Sequence, residues 1–370
     1  MGDIAAQTTQ GDADVMAESL EFRGKTGEFF GIWIVNVFLT IITLGIYSAW
    51  AKVRTNRYFY GNIYYKNSAF EYTADPIKIL KGRLLIFGLY AIFYVSLELL
   101  FNPLIAGIIF IFALIMMPWL INRSIKFRLH NTKHRNIRFV HHAHSGKYYL
   151  FYLLHGLLYV VSLGFSYGYS LSEFKKLLFD NSSYGSTGFR YNGKADGIYW
   201  QLIKTAGFTI LLFVIVMIFV LIISTILAPL FADGAPPSVD TDSKEAIKKG
   251  AIFILIGIYL AYFILIIVGK AAYDAFVGNY VWESVSLEQT RFKSTLKATT
   301  LAWIYGTNVL AVIFSLGLFT PWARVRITRY KCKNFAISCP DISSFIAASQ
   351  EDTTAIGEEA EDFFDIDIGF

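Results

Sequence analysis

Charge is what this chain has least of. Only 16% of its 370 residues are Asp, Glu, Lys or Arg, against about a quarter in an ordinary soluble domain, while 55% are apolar and 17% aromatic. That balance excludes a water-soluble globule. Cysteine is nearly absent too: Cys332 and Cys339 are the only two, too few for a disulfide framework and without the nearby His that would suggest zinc. No basic stretch followed by an apolar run opens the chain, so no cleavable signal peptide is expected. A P-loop, a dinucleotide fingerprint, an HExxH helix and a Gly-x-Ser-x-Gly elbow are all missing, so no enzymatic activity, cofactor or metal is expected, and no nucleic acid partner. Cations are missing from both ends. Residues 1–22 hold five acids and no Lys or Arg, and residues 341–370 hold nine acids and none. The expected organisation is an acidic disordered tail (1–22), a single membrane domain (23–339) and an acidic tail (340–370).

What the chain does have is long apolar runs. Residues 207–230 carry no charge over 24 positions and residues 250–269 none over 20, each enough to cross about 30 Å of hydrocarbon as a helix. Five further apolar segments cover residues 29–50, 84–101, 104–121, 148–170 and 299–322. The second and third of these meet at Asn102-Pro103, a tight turn between antiparallel helices, because Pro does not continue the helix before it. The fold class expected is an all-α polytopic integral membrane protein with about seven hydrophobic helical segments.

A pattern recurs where those segments end. Trp50, Arg54, Arg57, Asn62 and Phe70 have the spacing of Trp119, Arg123, Lys126, Asn131 and Phe139. Tyr169, Glu173, Lys176, Asn181 and Phe189 form a third copy with one charge reversed, and Trp322, Arg326, Arg329 and Asn334 a fourth that stops before the Phe. Positions i, i+4 and i+7 lie on one helix face, so an aromatic and two charged residues share a stripe. Trp favours the membrane interface, and Arg or Lys beside it buries its stem and leaves its charge among phosphates. The stripe residues Trp50, Arg54, Arg57, Trp119, Arg123, Lys126, Lys176, Trp322, Arg326 and Arg329 are therefore candidate lipid contacts on basic interfacial helices. Gly45 and Gly317 precede two of these helices and mark a bend. The stretch from Asn to Phe is polar and aromatic and reads as a short hairpin or an ordered loop.

The run from Thr43 to Arg54, continuing to Asn62, and its echo from Ser315 to Arg326 resemble the YjgN-like bacterial inner-membrane proteins, over about residues 22–339. That family is a domain of unknown function. The resemblance implies a multi-pass protein of the bacterial inner membrane and supplies no substrate, cofactor or catalytic residue. Glu173, where the other copies carry Arg, departs from the pattern.

Two topologies suit these segments. If all seven span, Lys and Arg divide 22 inside and 11 outside. If the first, fourth and seventh are re-entrant or in-plane, all but Lys244, Lys248 and Lys249 fall on one side, a far stronger positive-inside pattern. Both place the C-terminus in the cytoplasm, and the second is favoured. Asn36, His155 and Asn308 interrupt these three segments and are candidates for an intramembrane polar path, with helix-to-helix hydrogen bonding as the alternative for the two Asn. All six histidines lie within residues 130–155, and a wet loop is the expected setting for most.

The leading expectation is transport or permeation of a lipid or another anionic solute. The runner-up is a membrane-organising or assembly factor that binds anionic lipids and protein partners. The ending Phe363, Phe364, Ile366, Ile368 and Phe370 mixes large apolar groups with acids, and is expected to dock on the body or on a partner.

Overall fold

The computed structural model describes residues 17–99, 103–232 and 242–340. The tail expected to dock, with Phe363 to Phe370, lies outside them.

Helices and short strands alternate. The first half runs β1 (Glu18–Ser19), β2 (Glu21–Phe22), α1 (Thr26–Ile42), α2 (Ser48–Gly61), β3 (Ile63–Tyr65), β4 (Ser68–Tyr72), α3 (Pro76–Tyr94), α4 (Pro103–His130), β5 (Thr132–His134) and β6 (Ile137–His141). It continues α5 (Ser145–Val161), α6 (Tyr167–Phe179), β7 (Ser182–Tyr184), β8 (Thr187–Tyr191), α7 (Ala195–Ala232), α8 (Asp242–Glu283), β9 (Val285–Leu287), β10 (Thr290–Ser294), α9 (Ala298–Phe314), α10 (Thr320–Lys333) and β11 (Phe335–Ser338). A π-helical turn, Val95–Leu99, prolongs α3.

The strands overturn the all-α expectation. All eleven join one antiparallel sheet in the order β1-β11-β10-β9-β8-β7-β6-β5-β4-β3-β2. Hairpin turns set each register: Lys66-Asn67 and Arg135-Asn136 have both central residues at positive φ, as a type I′ turn requires, while Gly185 and Glu288 have it at the first position only. The N-terminal strand closes the ring. Glu18 and Ser19 pair with Ile337 and Ala336, Leu20 donates its N–H to Phe335 O (2.9 Å), and Glu21 and Phe22 pair with Tyr64 and Ile63. Residues 18–19 and 21–22, expected within the disordered tail, are thus strand, because closing the ring satisfies the two open edges that β3 and β11 would otherwise expose.

The ring encloses a packed core. Tyr65, Ile137, Tyr184, Leu287 and Ile337 are buried there, with Phe70, Phe139, Phe189 and Phe292 against them. Three of those phenylalanines end the recurring sequence pattern. A two-stranded hairpin is marginal alone; here neighbours and the shared aromatic core supply the missing stabilisation.

Among the described residues four helices are long and apolar enough to cross a membrane: Pro76–Glu98, Pro103–His130, Ala195–Ile223 and Gly257–Glu283. Asp75 caps the first, accepting from Ile77 N at 2.9 Å with Pro76 at the first helical position. The other three apolar segments each break into two helices. The pattern around Trp119 behaves differently, since α4 runs through Pro118 without breaking into two helices.

The chain forms two compact units. The first, from the described parts of Met1–Ala195, Val281–Ser294 and Arg324–Phe370, holds the entire sheet. In it Phe22, Phe29, Val325 and Cys332 form one apolar cluster, and Ala49, Val53, Tyr72, Ile79 and Phe127 another. The second comprises Asp196–Tyr280 and Thr295–Ala323. Asn279 there bonds both N and O of Leu296, and Tyr305 donates to Asp274 at 2.6 Å.

Candidate functional site

Three breaks share one build. Leu44 and Gly45, Leu163 and Gly164, and Leu316 and Gly317 all have positive φ, with the glycines at 92°, 87° and 95°. Each glycine N–H reaches back five residues, to Thr40, Tyr159 or Val312 O, at 2.8 Å. The preceding Thr43, Ser162 or Ser315 hydroxyl accepts from the N–H of Tyr47, Ser166 or Phe319. Backbone polarity is therefore satisfied within the turn, while Leu44, Leu163 and Leu316 stand 94%, 87% and 95% exposed. Such a turn suits hydrocarbon, where an unsatisfied backbone group costs several kcal/mol.

The amides singled out from the sequence hold two of these breaks. Nine residues before its glycine, buried Asn36 donates Nδ2 to Ala51 O (3.3 Å), fifteen residues on. Asn308 does the same to Ala323 O at 3.2 Å. Both bonds tie the two sides of the turn together.

The α5–α6 pair is built differently. Its equivalent of the clamp amide is His155, and the residue fifteen positions on is Ser170. They do not bond: His155 Nε2 and Ser170 Oγ are both buried without a hydrogen-bond partner. The imidazole stacks on Phe151 (4.1 Å) and Tyr169 (5.6 Å), and its Nδ1 meets Phe151 O at 3.0 Å. Beside it lies an open cavity of about 450 Å³, within the range of small-molecule sites. Leu150, Phe151, Leu154 and Leu177 give it apolar walls, and Lys147, Lys176, Glu173 and Asp180 supply charge. Lys147 donates to Asn181 Oδ1 (2.7 Å) and Asp180 accepts from Tyr191 N (2.8 Å).

The stripe residues have varied surroundings. Trp50 stacks with Tyr47 and packs on the Ala49–Val53 cluster, and Trp322 meets Phe319 edge-on at 5.9 Å. Arg57 donates to Ala74 O (3.4 Å) and Arg329 to Gly24 O (3.0 Å). Arg123 lies over the Trp119 ring at 5.5 Å with its Nε buried and unbonded. Lys126 and Arg326 are half-buried, whereas Arg54 and Lys176 are exposed. The pattern's Asn has one role throughout. Asn62, Asn131, Asn181 and Asn334 each donate Nδ2 to the carbonyl four residues earlier, ending the helix before a strand.

The histidines divide: His134 and His141 lie in β5 and β6, His130 ends α4, His155 lies in α5, and His142 and His144 are exposed between β6 and α5. His141, buried in β6, bonds Ser182 Oγ (2.9 Å) and the Tyr148 hydroxyl (3.0 Å). Burial, then Lys126, pushes its imidazole down to about 3. His134 is also held below its usual value, mainly by burial. Among the described residues no group of three or more His, Cys, Asp or Glu is placed to hold a metal ion.

One junction escaped the sequence reading. The passage from α8 into β9 and β10 places Phe292 where Phe70 stands, yet its stripe positions are Ala272, Phe276 and Asn279 and its helix-ending residue is Ser284. Only the local alternation around Phe292 signals it.

Comparison with known proteins finds inner membrane proteins. Inner membrane protein YjgN of Salmonella typhimurium is 25% identical over 350 residues, covering 85% of this chain and 87% of the relative. The YjgN proteins of Escherichia coli O157:H7 and strain K12 are 24% and 23% identical, each over 87% of this chain and 89% of their own length. No solved structure matches. The model of a bacterial protein family of unknown function, DUF898, matches residues 17–363, and the chain belongs to that family.

Proposed function

We propose that this is a multi-pass inner-membrane protein that moves a lipid or another anionic amphiphile, with its sheet and C-terminus on the cytoplasmic side. The observation that carries the topology is the unbroken sheet. β4 bonds β5, β6 bonds β7, and β8 bonds β9, so the helices between each pair must enter and leave the bilayer by the same face. α3 with α4 and α7 with α8 then cross out and back. α1, α5 and α9 have 17 residues each, about 25 Å at 1.5 Å per residue, and end in turns whose backbone is already satisfied. They are re-entrant. The relatives' description as inner membrane proteins and the charge bias, with only Lys244, Lys248 and Lys249 on the far side, support the same placement.

Permeation is favoured because short helices ending at membrane depth are a device by which transporters build sites there. The packed sheet interior favours a second reading, a membrane-organising or assembly factor, since buried side chains fill that ring. Purified full-length protein in vesicles with a fluorescent anionic lipid in both leaflets separates the two, using quenching from outside as the readout. Transfer between leaflets above protein-free vesicles is the expected result. Lipid retention without transfer would replace it by the organising role.

A further inference from the structure

We propose that the α5–α6 cavity binds a zwitterionic phospholipid whose headgroup carries a phosphate and a primary ammonium. The proposal rests on the preceding reading only in placing α5 and α6 within the bilayer; it concerns binding, and does not require that the lipid be moved.

The three helical breaks share turn geometry and differ at a few positions, and the differences converge on this cavity. Where the α1–α2 break has Asn36, Trp50, Ala51 and Arg54, and the break after α9 has Asn308, Trp322, Ala323 and Arg326, the α5–α6 pair has His155, Tyr169, Ser170 and Glu173. His155 and Glu173 line the cavity. Tyr169 stacks on His155, and Ser170 Oγ is left buried and unbonded where the other two breaks have a clamped carbonyl. One break has thus exchanged its clamp for an opening.

The lining selects the ligand. A free anion needs cations alone, whereas here Glu173 stands one helical turn from Lys176 on α6. Among the described residues neither forms a hydrogen bond or an ion pair with another side chain. A carboxylate and an ammonium held apart in this way match a ligand bearing both charges, with its phosphate on Lys176 and its ammonium on Glu173. Leu150, Phe151, Leu154 and Leu177 form the apolar walls against which an acyl chain packs.

The test is native mass spectrometry of the full chain with ethanolamine, choline and glycerol phospholipids of identical acyl chains. The ethanolamine lipid should be retained over both others. Glu173→Gln should cut its retention about tenfold, the loss expected for one charge-assisted contact, and leave the glycerol lipid unchanged. Lys176→Gln should weaken all three. His155→Asn combined with Ser170→Ala recreates the clamp of the other breaks, and should lower retention of every lipid while raising the unfolding temperature. Equal retention of the three headgroups by the unaltered protein, or an ethanolamine preference that survives Glu173→Gln in a protein of unchanged melting temperature, would overturn the proposal. Vesicle transfer is scored separately, so a protein that binds without moving lipid still supports this site.

Discussion

Closure of the sheet by its N-terminal strand can be tested at Phe22. Its side chain is 7% exposed, its ring stacks on Phe59 at 5.8 Å, and it shares a cluster with Phe29, Val325 and Cys332. Even the backbone next to it is fitted to the ring: a Cβ on Gly24 would come within 2.5 Å of the Phe22 ring tip. Phe22→Ala removes a buried aromatic and leaves a cavity, a loss of about 3–5 kcal/mol. Leu20→Pro attacks the other edge, removing the N–H that bonds Phe335 O, for about 1–3 kcal/mol more if that carbonyl stays unsatisfied. The comparison is Phe38→Ala in α1, which deletes the same atoms from a side chain 63% exposed and facing acyl chains or detergent. Thermal unfolding in detergent, followed by intrinsic fluorescence, should show Phe22→Ala melting well below the unaltered protein and Phe38→Ala melting near it. With its edges released, the Phe22→Ala/Leu20→Pro double variant should also form oligomers on size exclusion. If Phe22→Ala and Phe38→Ala melted alike, the strand would not be closing the ring.

Acid should weaken the sheet through His141. Its folded imidazole titrates near 3, below the ordinary 6.5, so below about pH 6.5 the unfolded chain takes up a proton that the folded one refuses. Stability then falls by up to about 1.4 kcal/mol per pH unit for this group, and melting curves from pH 7 to pH 5 should show a shallower slope in His141→Gln. Removing a clamp by Asn36→Ala or Asn308→Ala should cost about 1 kcal/mol each, read as lower melting temperatures; no change in either would make those bonds incidental.

Part of this structure was legible locally and part was not. The pattern from Trp50 to Phe70 and its copies marks helix, helix end and strand because each step uses near neighbours, such as Asn62 bonding Tyr58 O. Gly45 and Gly317 announce turns because positive φ is cheap only for glycine. The sheet is another matter. β4 pairs with β5 about sixty residues on, and β1 with β11 across more than three hundred, and no local propensity reports such partners. Glu18–Phe22 looked like tail because its acids suggest solvent, yet Leu20 and Phe22 carry the inward packing. At the candidate site, Glu173 departs from the recurring pattern and His155 interrupts an apolar segment, but only the fold shows that they line the same cavity.

The most direct test of the account is which side of the membrane each hairpin faces. With Cys332 and Cys339, both buried, replaced by Ala, single cysteines go at the exposed positions Glu71, His144, Ser186 and Gln289, on or beside four successive parts of one sheet. An impermeant maleimide added to intact cells should label none of them and, after permeabilisation, all four. Labelling of Ser186 and Gln289 from outside, with Glu71 and His144 protected, would mean that α5 and α9 span the bilayer and that the continuous sheet does not form.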